Sequence, residues 1–221
     1  MSTPGLSARQ GAAPGRVAGE AGRLGGVEGA ATFEFLVSLC LGVALAAACG
    51  LRVFLPLLLV GSAARLGYVT VSGGMEWLSS TPALLALAAA TVLEISAYFV
   101  PWLDNALDAA GAPVAIAAGT ILAAAVLGET SPLLRWTLAT VAGGGAAAAV
   151  HGSLAVVRKL SSVATLGLAN PLVAAGEAVA ALLMVVIAIA LPLLTVGGMV
   201  VALGLLLRRA STIGWRRRQA L

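Results

Sequence analysis

The chain has 221 residues, of which 60% are hydrophobic and only 10% are charged. Soluble domains carry about 25% charged residues, so this composition excludes a soluble globular domain and indicates an integral membrane protein. The apolar runs are continuous at helical length and do not alternate with period two, which excludes a transmembrane β-barrel. The formal net charge of +4 is concentrated near the C-terminus, at Arg208, Arg209, Arg216, Arg217 and Arg218. No soluble domain accompanies these arginines, so they point to anionic lipid headgroups and to membrane orientation, not to nucleic acid.

Residues 1–31 are rich in Gly, Ala, Ser and Pro and show no apolar periodicity, which predicts a disordered N-terminal tail. The run FLVSLCLGVALAAACG follows Glu34 and a long tail in place of a short basic region, so it reads as a first span and not as a secretory signal. Cys40 and Cys49 lie within it, without metal-ligand spacing, as small packing residues. Arg52 then marks a turn near one membrane face. The segment VFLPLLLVGSAA, running to Arg65, is a second, short span or a re-entrant segment. Residues 68–80 form a polar loop in which Tyr68 and Trp77 suit the interface.

Pro82 fits the first turn of a helix, and a third span runs from there to Val100. Pro101, Asp104, Asp108, Gly111 and Pro113 bound an expected polar connector before a fourth span over 114–127. Glu129, Pro132, Arg135 and Trp136 make the next surface loop. A fifth span over 137–157 carries Gly143, Gly144, Gly145 and a run of Ala, small residues that let helices approach closely. It ends at Arg158 and Lys159. The stretch 170–209 is about twice the length needed to cross a bilayer and breaks at Pro192 with Gly197 and Gly198. It therefore reads as spans six and seven.

The expected fold is all-α: a polytopic transmembrane helix bundle over 32–209 with about seven spans, or six if the segment after Arg52 is re-entrant. A basic cytoplasmic tail occupies 210–221. The positive-inside rule puts the C-terminus in the cytoplasm, with Arg52, Asp104, Asp108, Arg158 and Lys159 on the inner face of the inner membrane and Arg65 and Arg135 on the outer. Pro56 to Ser62 (PLLLVGS) echoes Pro171 to Glu177 (PLVAAGE), a weak internal repeat of the kind that transporter halves show.

At these residues a resemblance enters. GLRVFLPLLLVGSAARLG, LEISAYFVPWLDNALD and GLANPLVAAGE together resemble an uncharacterised bacterial membrane-protein family, domain of unknown function 4126, over roughly residues 35–195. Glu94, Pro101, Asp104 and Asp108 match that family's middle motif, whereas Ala97 to Val100 lack its charged patch. The resemblance implies a polytopic fold and no activity.

Three ionisable residues fall inside the expected spans: Glu94, His151 and Glu177. Each lies six or seven residues from the expected inner end of its helix, about 9–11 Å at the helical rise. At one shared depth they are candidates to share a proton or ligate a passing cation, the usual use of buried ionisable groups in membranes. The structural alternative is that each bonds a Ser, Thr or backbone carbonyl and fixes helix packing. Arg52, Asp104, Asp108, Arg158 and Lys159 form a second, inner-face charge network. Asp104 and Asp108 share a helix side at i,i+4, and pairing with Arg52 and Lys159 at the headgroup boundary is the expected role.

A phosphate-cradling Gly-rich loop, a His-x-x-x-His pair and a Ser with an evident base are all missing from the sequence. No enzymatic activity, cofactor or resident metal is expected. The expected function is a small transporter or channel for a cation, a proton-coupled solute or a small molecule. The alternative is a structural or assembly subunit of a membrane complex. Expected partners are the bilayer, anionic headgroups at the C-terminal tail and a second copy of the chain, with no nucleic acid.

Overall fold

A computed structural model describes residues 14–72, 74–97, 101–128, 130–165, 170–192, 194, 197 and 201, with side chains described outside 14–28, 101–109, 159–160 and 162–171. The basic tail over 210–221 and most of the seventh expected span lie outside the described residues. The described secondary structure is all helical. The chain divides into two units, Met1–Leu36 and Val37–Leu221. In the first, helix begins at Pro14, where composition predicts a disordered tail over 1–31. Pro14 suits a helix start, and Ala, Arg, Glu and Leu then favour continuation.

Among the described residues the α-helices are, in order, α1 Pro14–Leu51, α2 Phe54–Arg65, α3 Thr81–Ser96, α4 Pro101–Val126, α5 Pro132–Leu138, α6 Gly145–Thr165 and α7 Asn170–Ala190. A 3-10 turn at Glu76–Ser79 precedes α3, and a π turn at Ala139–Gly144 joins α5 to α6. Three described stretches are long and apolar enough to cross a membrane: Gly29–Leu51, Pro132–Arg158 and Leu172–Ala190. Shorter apolar helices are Phe54–Arg65, Thr81–Ser96 and Ala110–Val126.

Local chemistry explains most boundaries. Ser80 caps α3 by accepting from the Ala83 N–H, and Pro82 sits in its first turn. Ser131 and Pro132 start α5 in the same way, with the Ser131 hydroxyl accepting from the Leu134 N–H. Such caps satisfy backbone donors that a helix start leaves unpaired. The helix break after α1 comes from Pro56. Inside a continuous helix its ring would meet the carbonyl four residues earlier, that of Arg52. Helix structure accordingly stops at Leu51 and resumes at Phe54, leaving Pro56 in a first turn where no N–H is needed.

Two expected boundaries are corrected. The connector over Pro101 to Pro113 is instead the first half of α4, which runs through Pro113; packed membrane helices tolerate an internal Pro because neighbours satisfy the freed groups. The fifth span begins at Pro132, earlier than expected, and ends at Arg158 as expected, while its helix continues to Thr165, the last described residue there. Arg158 and Lys159 are therefore within a helix, and Arg135 and Trp136 lie on α5, not in a loop.

The core of the second unit forms around the end of α1, where residues 44–50 are all buried. Leu45 and Cys49 of α1, Val60 of α2, Leu122 of α4 and Val185 of α7 meet there. Small residues set the closest crossings. A Cβ on Gly50 would lie 2.6 Å from the Ala147 carbonyl oxygen, and one on Gly119 would lie 2.7 Å from the Ala147 Cβ. A Cβ on Gly143 would reach 2.5 Å from the Ala123 Cβ. On α7, Ala174, Glu177, Ala181, Val185 and Ala188 form the buried stripe, while Val179, Leu182, Leu183, Val186 and Ile187 are exposed. That spacing is an apolar helix with one face inward and one face suited to lipid.

These crossings give a first prediction. Gly50→Ala should destabilise the protein by about 1–3 kcal/mol through overpacking, whereas Gly145→Ala, with nothing within 4 Å of the added carbon, should be neutral or slightly stabilising. Thermal unfolding in detergent compares the two; equal stability would show that the α1–α6 crossing has room to spare.

Candidate functional site

The break between α1 and α2 is where the buried charges converge. The Arg52 N–H still donates to the Ala48 carbonyl at 3.1 Å, continuing the α1 ladder. The next two donors turn elsewhere. Val53 donates its N–H to Glu94 Oε1 at 2.7 Å, and Phe54 donates to Glu94 Oε2 at 3.2 Å. The Glu94 carboxylate, carried on α3, thus stands where carbonyls of α1 would stand in an unbroken helix. A negative group there also complements the positive end of the α2 dipole. Glu94 lies in the last turn of α3, which ends at Ser96.

Arg52 is 3% exposed and Glu177 4% exposed. The Arg52 Nη2 donates to the Ala174 carbonyl on α7 at 2.6 Å and lies 4.0 Å from Glu177 Oε2. Arg158, on α6 and 22% exposed, grips the same carboxylate with two donors. Its Nε reaches Glu177 Oε1 at 2.8 Å and its Nη2 reaches Oε2. Paired donation of this kind is the strongest form of an arginine–carboxylate contact. One buried carboxylate therefore ties the α1–α2 break, α6 and α7 together.

The two groupings expected from the sequence regroup in the structure. Glu177 belongs with Arg52 and Arg158, so the buried carboxylate and the inner-face network are one cluster. Glu94 borders it through the adjacent backbone of Val53 and Phe54. His151 packs differently: a Cβ on Gly111 of α4 would lie 2.8 Å from its Cε1 and 3.1 Å from its Nε2. His151 lies fourteen residues before Thr165, the last described residue of α6, and Glu177 seven after Asn170, the first described residue of α7. Among the described residues, no group of three or more His, Cys, Asp or Glu is placed to hold a metal ion. The side chains of Asp104, Asp108 and Lys159 lie outside the described residues, and with them the expected pairing to Arg52.

The sequence reading missed the Arg158–Glu177 contact, although a signal for it exists. Arg158 is seven residues before the end of α6 and Glu177 seven after the start of α7. Positions equidistant from the connection share a depth when two consecutive helices pack antiparallel. The Glu94 cap has a fainter signal: a proline four residues after Arg52 opens two backbone donors, and an acid elsewhere is needed to meet them.

The family model described as Domain of unknown function (DUF4126) matches residues 39–211. The chain belongs to that family. No curated protein and no solved structure matches it.

Two outcomes test the geometry. Glu94→Ala should cost about 0.5–2 kcal/mol, the range for loss of a helix cap, and Glu94→Gln should recover part of that through its remaining oxygen; equal losses would show that capping is not the role. For the second cluster, a double-mutant cycle of Arg158→Ala and Glu177→Gln in thermal unfolding should give a coupling above about 1 kcal/mol; additive losses would show that the pair contributes nothing.

Proposed function

We propose that the chain is a multi-pass inner-membrane protein, with its C-terminus in the cytoplasm, that moves a small cation or a proton-coupled solute across the bilayer. The observation that carries this reading is the interrupted helix between Leu51 and Phe54, with Glu94 on its backbone donors and the buried Arg52–Glu177 pair beside it. Transporters place broken helices at their binding sites because an unwound turn offers backbone groups that a continuous helix consumes. Buried acids at such a turn are the usual groups for coupling to protons. In this reading, release of the Glu94 carboxylate from the Val53 and Phe54 donors frees the α1–α2 break to change shape. Glu177, held by two arginines, keeps α7 registered against the break.

A second reading is a structural subunit of a membrane complex. It is favoured by the fact that both carboxylates already have structural partners. Flux decides between them. Proteoliposomes with the full chain and an internal pH dye should show proton movement when a sodium, potassium or proton gradient is imposed. Glu94→Gln should reduce that movement at least tenfold while the protein still inserts and purifies as a single species. Absence of flux under all three gradients, with a stoichiometric partner retained on purification, would replace transport with the structural reading.

A further inference from the structure

Close approaches between glycines and their neighbours fix the register of α1 against α4 and α6. A Cβ on Gly42 of α1 would lie 3.2 Å from the Ala123 Cα of α4, and one on Gly119 of α4 would lie 3.2 Å from the Ala46 Cβ. The two helices are therefore antiparallel, with Gly42 level with the finishing end of α4. Further along α1, a Cβ on Gly50 would lie 3.1 Å from the His151 backbone nitrogen of α6. A Cβ on Gly111 of α4 would lie 2.8 Å from the His151 Cε1. The break after Leu51 is thus level with Gly111 and His151. Neither residue is at a helix end. α4 starts ten residues before Gly111, at Pro101, about 15 Å away. α6 runs fourteen residues past His151 to Thr165, the last described residue there, about 21 Å.

Beyond the break the chain turns back. Ser72, seven residues after the end of α2, donates its N–H to the Ala125 carbonyl at 3.0 Å. That is the level at which a Cβ on Gly42 would lie 3.3 Å from the Val126 Cγ2. The chain therefore travels from the end of α4 to the break on α1 and returns on α2. With 12 residues, α2 is about 18 Å long, whereas a crossing takes about 20 residues. α3 is fastened beside it at both ends. Arg65 Nη1 donates to Thr81 Oγ1 at 2.7 Å, and Glu94 accepts from Val53 and Phe54.

We propose that residues 42–65 form a re-entrant hairpin: α2 does not cross the bilayer, and the α1–α2 break lies near mid-depth in the membrane. The chemistry of the tip suits that depth. Irregular backbone is tolerated in the hydrocarbon region only where protein buries it, and Arg52 and Val53 are both buried. The end of α1 is a negative dipole pole and the start of α2 a positive one. Arg52 stands at the first, and the Glu94 carboxylate meets the second. Arg52 is then an intramembrane charge held against Glu177, and not the inner-face anchor that charge counting suggests. The placement rests on helix register alone and stands whether or not the chain transports anything.

Depth measurement on the full chain in phosphatidylcholine–phosphatidylglycerol vesicles provides the test. Nitroxide labels go on Leu55→Cys, Leu59→Cys, Ala63→Cys and Tyr68→Cys, one at a time, with Cys40 and Cys49 replaced by Ala. The first three positions are half-buried and Tyr68 is exposed. Relaxation by oxygen against a water-soluble nickel chelate reports depth. Leu55 should be deepest, and each four-residue step should bring the label about 6 Å nearer the surface, with Tyr68 open to the chelate. Should Leu55→Cys fail to fold, half-buried Leu51 on the other side of the break carries the same comparison. A profile with Leu59 deepest and Leu55 and Ala63 both shallower would show that α2 crosses the bilayer and would overturn the proposal. Leu55 or Leu51 as open to the chelate as Tyr68 would place the break at a membrane face and overturn it too.

Discussion

The fold depends on how two backbone donors are satisfied at one interrupted helix. Pro56 disfavours a continuous helix through Arg52, and here the chain breaks over two buried residues, Arg52 and Val53. In an apolar interior the freed N–H groups of Val53 and Phe54 cannot turn to water, and an unmet backbone donor there costs several kcal/mol. Glu94 meets both with one carboxylate. That fixes the end of α3 against the start of α2, which are far apart in sequence. The same break frees the Arg52 side chain to reach α7 at Ala174. Three helices are thus located by a single interruption next to a proline.

The rest of the packing is set by which residues can approach α1. Its residues 44–50 are buried on all sides, so the helices around them must come close without large side chains. Gly50, Gly119, Gly143 and Ala147 meet this demand. The π turn at Ala139–Gly144 belongs to the same arrangement. One extra residue in a helical turn shifts the phase of every later residue in the helix, and here the shift falls where Gly143 and Gly144 lie against Ala123 and Thr120. Gly145, just past the turn, has no such neighbour, so the three consecutive glycines do not share one role.

Much of this was legible in the sequence, and the gaps have physical causes. The apolar runs gave the helical class, and Pro82 marked a helix start because its fixed φ and missing N–H suit the first turn. Glu177 stood out because a buried acid must have a partner. Its partners were not legible from composition, since Arg158 reads as a helix end until α6 is known to continue to Thr165. Pro113 misled for a related reason: a proline ends a helix in water, yet packing lets α4 run through it. The role of Pro56 was hidden by the opposite error. It reads as an ordinary residue of a short span, although its position fixes the break four residues earlier.

The arrangement around Glu177 places a limit on how the break can move. Removing two ions from water costs several kcal/mol per ion, and mutual attraction repays this only when geometry is good and remaining donors are met. Arg158 supplies that geometry through two donors to one carboxylate. The 4.0 Å separation of Arg52 from the same group is looser, and its firm contact is the Ala174 carbonyl. The α6–α7 pair is therefore joined by the closer contact, and Arg52 has both a carbonyl and a carboxylate of α7 within reach. Glu94 has no such alternative among the contacts at the break, because its two backbone donors exist only while the helix is interrupted. Of the two acids, half-buried Glu94 caps the break, and buried Glu177 joins α6 to α7.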